Sequence, residues 1–140
     1  MTTTADIAAV PVSAPTSSFR EQGNDEYRKG NYLKAAANYT KAIKEEPELA
    51  ALYSNRSAAL MQLSKLPKAL ADAEECIRLE PQWDKGYFRK GAVFEALGKL
   101  EEAFEAYKLA ADKAKGSSRQ AQEKVRNIQK LIRQRAAKAT

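Results

Sequence analysis

A spacing of 34 residues runs through this chain and constrains its fold more than any other feature. Pro47 and Pro81 stand 34 apart, and Ala35, Ala69 and Ala103 step by the same interval. So do Phe19, Tyr53 and Tyr87, the trio Tyr39, Ala73 and Tyr107, and the trio Ala42, Cys76 and Ala110, while Gly23 and Gly91 are two steps apart. Self-similarity at such a period marks stacked supersecondary units, each too small to bury its own apolar face. The frame divides the chain into repeats 16–49, 50–83 and 84–117. About three such units are needed before a continuous core forms.

Each repeat reads as two helices with a short break. The breaks fall at Gly30-Asn31, at Ser64–Leu66 with Pro67 suited to the first turn of the next helix, and at Gly98-Lys99. The first helices are therefore predicted at about 18–29, 50–63 and 84–97, and Pro47 and Pro81 end the second helices of their repeats. Small residues at Ala35, Ala69 and Ala103 allow close helix approach. The aromatics Tyr27, Tyr39, Tyr53, Tyr87, Phe94 and Tyr107 read as core filling, and Cys76, in a small-residue slot, as an inert buried thiol. Asp84 is the expected N-cap of the fifth helix, with Trp83 packing on Phe88 as a hydrophobic staple. Two positions depart from the pattern. Ser57 replaces the glycine of the other repeats, and Lys115 replaces the proline, so the last paired helix is expected to run on or to leave the array differently.

A seventh helix is predicted over 118–137, started by a capping box of Ser117 and Gln120. Ala121, Val125, Ile128, Ile132 and Ala136 form its apolar stripe, and Arg119, Lys124, Arg126, Lys130, Arg133 and Arg135 occupy its other faces. Such a helix covers the outer face of the last repeat. Charge follows this division: residues 113–140 hold nine Lys/Arg and one Glu, whereas residues 1–112 are slightly acidic. Residues 1–17, rich in Thr, Ser, Ala and Pro, read as a disordered tail.

Composition excludes several functions. The chain has no His and one Cys, which removes the commonest general base, an internal disulfide and a cysteine-cluster metal site. No glycine-rich phosphate loop or nucleophile–base pair is present, so neither an enzyme nor a cofactor or metal is expected. No apolar run reaches 18 residues, and 1–17 has neither the basic, apolar order of a secretory signal nor the arginines of a transit peptide. A cytoplasmic, monomeric module is the expectation.

The 34-residue pattern resembles the tetratricopeptide repeat over about residues 16–117. The resemblance implies an all-α fold: three tandem helix–turn–helix repeats in a right-handed superhelix, plus the C-terminal capping helix. It also implies that the first helix of each repeat lines a concave surface. Arg20 and Asn24 are four apart on the first of these helices, Lys85 and Arg89 repeat that spacing on the third, and Asn55 shares the repeat position of Arg89. Three cations and two amides favour a carboxylate-bearing ligand.

The strings Phe19–Asn24, Leu52–Ala59 and Trp83–Lys90 are similar to the dicarboxylate-clamp subset of the family. In that subset, co-chaperones grip the C-terminal Glu-Glu-Val-Asp of the 70-kDa and 90-kDa heat-shock chaperones. The resemblance implies that Lys85, Asn24 and Asn55 hold the terminal Asp and its main-chain carboxylate. Arg20 and Arg89 assist with acidic side chains or carbonyls, and Ala58 and Ala92 wall the peptide's Val. Arg20 stands where the subset usually has Lys. The bland alternative is a solvated set of surface cations. The competing functional one is a general scaffold that meets an acidic partner or an anionic membrane through its convex face or basic last helix. Without an aromatic in 118–140, that helix is not expected to bind nucleic acid.

Overall fold

In the computed structural model, described over residues 17–116 and 118–139, seven helices follow one another: α1 (Phe19–Arg28), α2 (Tyr32–Glu45), α3 (Ala50–Gln62), α4 (Leu66–Leu79), α5 (Asp84–Ala96), α6 (Leu100–Lys113) and α7 (Arg119–Ala139). The period is kept to the residue: α2, α4 and α6 begin and end 34 apart, and so do α3 and α5. Each helix packs on its neighbour in sequence, and α3 also touches α1 and α5, so the first helices of the repeats share one side of an all-α superhelical array. Apart from Ser17, the expected N-terminal tail lies outside the described residues. Among the described residues no helix is long and apolar enough to cross a membrane.

The pairs close through small residues. Ala35, Ala69 and Ala103 are all 0% exposed and sit where the two helices of a repeat meet. At the neighbouring contact the repeats trade volume. A Cβ on Gly23 would lie 2.6 Å from the Tyr39 ring, and one on Gly91 would lie 2.6 Å from the Tyr107 ring. In the middle repeat the tyrosine position is Ala73, and that frees room for Ser57, whose hydroxyl donates to the Ala69 carbonyl at 2.8 Å. The departure at Ser57 is thus half of a reciprocal exchange in side-chain size, not a defect in the repeat.

Helix starts are set by backbone turns more than by side-chain caps. Trp83, not Asp84, is the N-cap of α5: it is extended, its N–H closes a turn onto the Glu80 carbonyl at 3.1 Å, and no side chain caps the helix. Leu49 does the same for α3, with its N–H on the Glu46 carbonyl at 3.3 Å. The turn after each proline fixes the register, so Asp84 becomes the first helical residue, where its charge suits the dipole. Phe88 turns edge-on to Tyr107, with ring centroids 5.3 Å apart. Among the described residues, a full capping box is found at α1: Glu21 N–H donates to Ser18 Oγ and Ser18 N–H to Glu21 Oε1.

The array ends differently from the way its repeats join. α6 stops in frame at Lys113, but its C-cap Ala114 is extended, whereas Glu46 and Glu80 share another conformation before their prolines. Ser117 of the expected capping box lies outside the described residues, and the cap is Ser118, whose hydroxyl accepts from Ala121 N–H at 3.3 Å. Ile128 is fully buried against Ala103 and Tyr107, with Val125 and Ile132 packed beside it. Ala136, read as the last member of the stripe, is exposed. The cause is length: α6 has 14 residues and α7 has 21, so α7 overhangs its partner by about 10 Å. Two of its cations face carboxylates: Lys124 with Glu95 at 3.2 Å, and Arg135 with Glu101.

Candidate functional site

The side of the array shared by α1, α3 and α5 holds a recess of about 200 Å³. Asn24, Asn55, Ala58 and Arg89 line it, joined by Tyr27, Arg28 and Tyr39. Three of the five expected carboxylate-binding residues, and one of the two expected wall alanines, therefore meet in one place. Arg20, Lys85 and Ala92 stand outside the lining. Arg20 is exposed one turn before Asn24, close enough for its charge to act on Tyr39. Lys85 is exposed one turn before Arg89, with no hydrogen bond or ion pair among the described residues, and Ala92 is half-buried one turn after it.

Hydrogen bonds fix the orientation of the amides. Asn24 Oδ1 accepts from the Tyr39 hydroxyl at 2.6 Å and from Asn55 Nδ2 at 3.5 Å. With its acceptor engaged, Asn24 has its Nδ2 hydrogens left to donate, and Asn55 keeps a second hydrogen of its own. Tyr39 is 2% exposed, and burial pushes its phenol above the ordinary value, so the hydroxyl stays a donor at neutral pH. The spacing that marked Tyr39 as apolar bulk was silent about this role. Tyr27, also read as core, is half-buried and lines the recess.

The charge is held in an unusual way. Arg89 is half-buried, and desolvation pushes its guanidinium below the ordinary arginine value, though far too little to discharge it at neutral pH. Among the described residues, its side chain makes one hydrogen bond, from Nε to Ser54 Oγ at 3.2 Å. The groups that act on it electrostatically are Tyr27, Cys76 and Tyr39, none of them a carboxylate. Cys76 is fully buried and its thiol is pushed up to about 11 by burial, so it too is neutral. Arg28, by contrast, pairs with Asp25. Among the described residues, a half-buried cation without a counter-charge thus stands beside two amides with hydrogens to spare, a donor set whose chemistry suits an anion. Ser54, 2% exposed, went unnoticed in the sequence because it neighbours Arg89 only once α3 lies against α5.

Comparison with known proteins bears on the repeat and the fold. The Tetratricopeptide repeat family matches residues 20–82 and again residues 59–118. The Hsp70-Hsp90 organizing protein of Triticum aestivum is 43% identical over 88 residues, covering 63% of this chain and 15% of that one. Heat shock protein STI1 of Saccharomyces cerevisiae is 42% identical over 102 residues, covering 72% and 17%. The chain thus spans under a fifth of the length of these relatives. Among solved structures, the first TPR of Spaghetti (RPAP3), bound to HSP90 peptide SRMEEVD, superposes with a TM-score of 0.76 at 30% identity, covering 86% of this chain and 96% of that one. The TPR2B domain of yeast Sti1 in its Hsp70 complex gives 0.77 at 29% identity, covering 85% and 99%.

Proposed function

The chain belongs to the tetratricopeptide repeat family, and on that premise we propose that its α1–α3–α5 face is a carboxylate clamp for the C-terminal Glu-Glu-Val-Asp of 70-kDa and 90-kDa heat-shock chaperones, making it a co-chaperone binding module and not an enzyme. The observation that carries this reading is Arg89, a half-buried guanidinium without a carboxylate partner among the described residues, set beside Asn24 and Asn55 in one recess. An incoming carboxylate supplies the missing charge, and charge-assisted bonds contribute about 1.5–3 kcal/mol each. The Asn24 and Asn55 amides donate to the terminal Asp and its main-chain carboxylate, with Lys85 and Arg20 adding charge from the rim. Ala58, 7% exposed in the recess, walls the peptide's Val together with Ala92. A cytoplasmic setting belongs to the same proposal, since such chaperones and a free buried thiol at Cys76 both suit a reducing compartment.

Calorimetry with a peptide ending in Glu-Glu-Val-Asp tests the clamp. Binding of about micromolar strength is expected once peptide ordering has been offset. The C-terminally amidated peptide lacks one carboxylate and is expected to bind about tenfold or more weakly. Equal affinity for the two forms would sink the proposal. A scaffold reading through α7 rests on Arg126, Lys130 and Arg133, which are exposed. It makes the opposite prediction for Lys85→Glu, namely no loss of partner.

A further inference from the structure

On α5, Tyr87, Lys90 and Phe94 lie about half a turn around the helix from Lys85, Arg89 and Ala92, so they face the outside of the array. There they line a second recess of about 430 Å³, together with Ile77 of α4 and Ala106 and Leu109 of α6. Its wall is acidic, made of Glu101, Glu102 and Glu105. One repeat earlier the equivalent positions form a recess of about 420 Å³ with a different character. There Arg56 donates to both carboxylate oxygens of Asp72, at 2.7 and 2.8 Å, and that ion pair spans the recess. In the later repeat Ala106 stands in place of Asp72, and Lys90, in place of Arg56, turns to Glu74 at 3.6 Å.

With the bridging pair gone, the floor is left to Phe94, Ala106 and Leu109, and Leu109 is 43% exposed. The rim changes sign as well, since Glu102 and Glu105 replace Lys68 and Ala71. Both glutamates are exposed, with no ion pair or hydrogen bond among the described residues. The third, Glu101, already receives a guanidinium, that of Arg135 from the chain's own basic helix. An apolar floor walled by carboxylates, on a chain whose net charge is +6, is selective for an apolar ligand that carries cations.

We propose that this outer groove docks a cationic amphipathic helix of a partner protein, its leucine-like side chains on Phe94 and Leu109 and its lysines or arginines on Glu102 and Glu105. The chain's own residues 1–16 do not match in charge, for they hold Asp6 and no cation. The groove and the carboxylate recess lie on opposite sides of α5, so the two ligands bind together and the proposal stands or falls separately from the clamp.

Fluorescence anisotropy of the full chain with a labelled Leu/Lys amphipathic peptide about 14 residues long provides the test. Saturable binding is expected, weakened about tenfold or more in Glu102→Lys/Glu105→Lys and likewise in Leu109→Ser, and unchanged in Arg89→Met. Absence of binding, or undiminished affinity in the double charge variant, overturns the proposal. So does a loss that follows charge alone and ignores Leu109→Ser. Displacement of the probe by a synthetic peptide of residues 1–16 assigns the groove to the chain itself and overturns a partner. A concentration-dependent dimer in sedimentation that the same substitutions dissolve assigns it to a second copy, with the same consequence.

Discussion

Arg56 on α3 and Arg89 on α5 are both drawn into the array, on opposite faces, and they are treated in opposite ways. Arg56 is bidentate to Asp72, which is 6% exposed, and it also donates to Thr40 Oγ at 3.1 Å. That pairing raises its already high pKa, and the charge is neutralised within the fold. Arg89 has one hydroxyl and three neutral neighbours, and burial pushes its pKa down. The first arrangement is internally complete. The second leaves a charge whose partner must come from elsewhere. Neutralisation, rather than residue type, separates the structural arginine from the one proposed to bind.

The largest expected effect breaks the comparison on the structural side. Arg56→Ala strands the buried Asp72 carboxylate and is expected to cost about 3 kcal/mol in urea denaturation. Replacing both partners, as in Arg56→Met/Asp72→Leu, should recover most of that loss. Neither change is expected to alter peptide affinity of the folded chain.

Arg89→Met is expected to do the reverse. Removing a half-buried charge with no counter-ion leaves stability unchanged or slightly higher, while affinity for the free-acid peptide falls by about 2 kcal/mol, roughly thirtyfold. A large drop in the urea midpoint would show that Arg89 is paired after all and dissolve the contrast.

Smaller is the effect of Tyr39→Phe, which keeps the ring against Gly23 and removes only the hydroxyl that holds Asn24 Oδ1. About 1 kcal/mol of peptide affinity is expected to go, with the free-acid and amidated peptides drawing closer together. Tyr107→Phe is the control, because its hydroxyl goes to Glu95 at 2.6 Å, outside the recess.

The smallest effect concerns Cys76, the thiol among the neighbours of Arg89. Burial holds the Cys76 thiol at about 11, against about 8.5 in an unfolded chain. The folded state therefore grips the proton more tightly. This contribution to stability is complete below pH about 8.5 and is lost as pH rises through about 11. The difference in urea midpoint between the parent chain and Cys76→Ala, followed from pH 8 to 11, is expected to show that slope. A native thiol that alkylates readily at neutral pH would make Cys76 the missing counter-ion and end the contrast.

Most of the architecture was legible because it repeats. A period of 34 fixed the breaks at Gly30, Ser64 and Gly98, each of which takes positive φ, and placed the paired helices to within about two residues. Non-repeating features were harder to see. Asp84 looked like a cap from its residue type, yet the backbone turn at Glu80–Trp83 sets the start of α5. Ala136 continued the stripe but stands exposed, because the length of α6 is not encoded in α7. At the candidate site, Asn24, Asn55 and Arg89 could be named from the resemblance to the clamp subset of the family. The hydroxyls that hold them, on Tyr39 and Ser54, belong to contacts across helices, and the spacing of a phenol or a serine does not say where its proton goes.

The reciprocal bulk at Gly23/Tyr39, Ser57/Ala73 and Gly91/Tyr107 bears on how such arrays can be recombined. Splicing α3 onto α2 would drive a serine side chain into the Tyr39 ring, and splicing α1 onto α4 would leave glycine facing alanine across a void. Single helices are therefore not portable between the middle repeat and its neighbours. The two-helix unit is the smallest piece that can be duplicated, shuffled or grafted without repair, and the first and third units are the natural donors for one another.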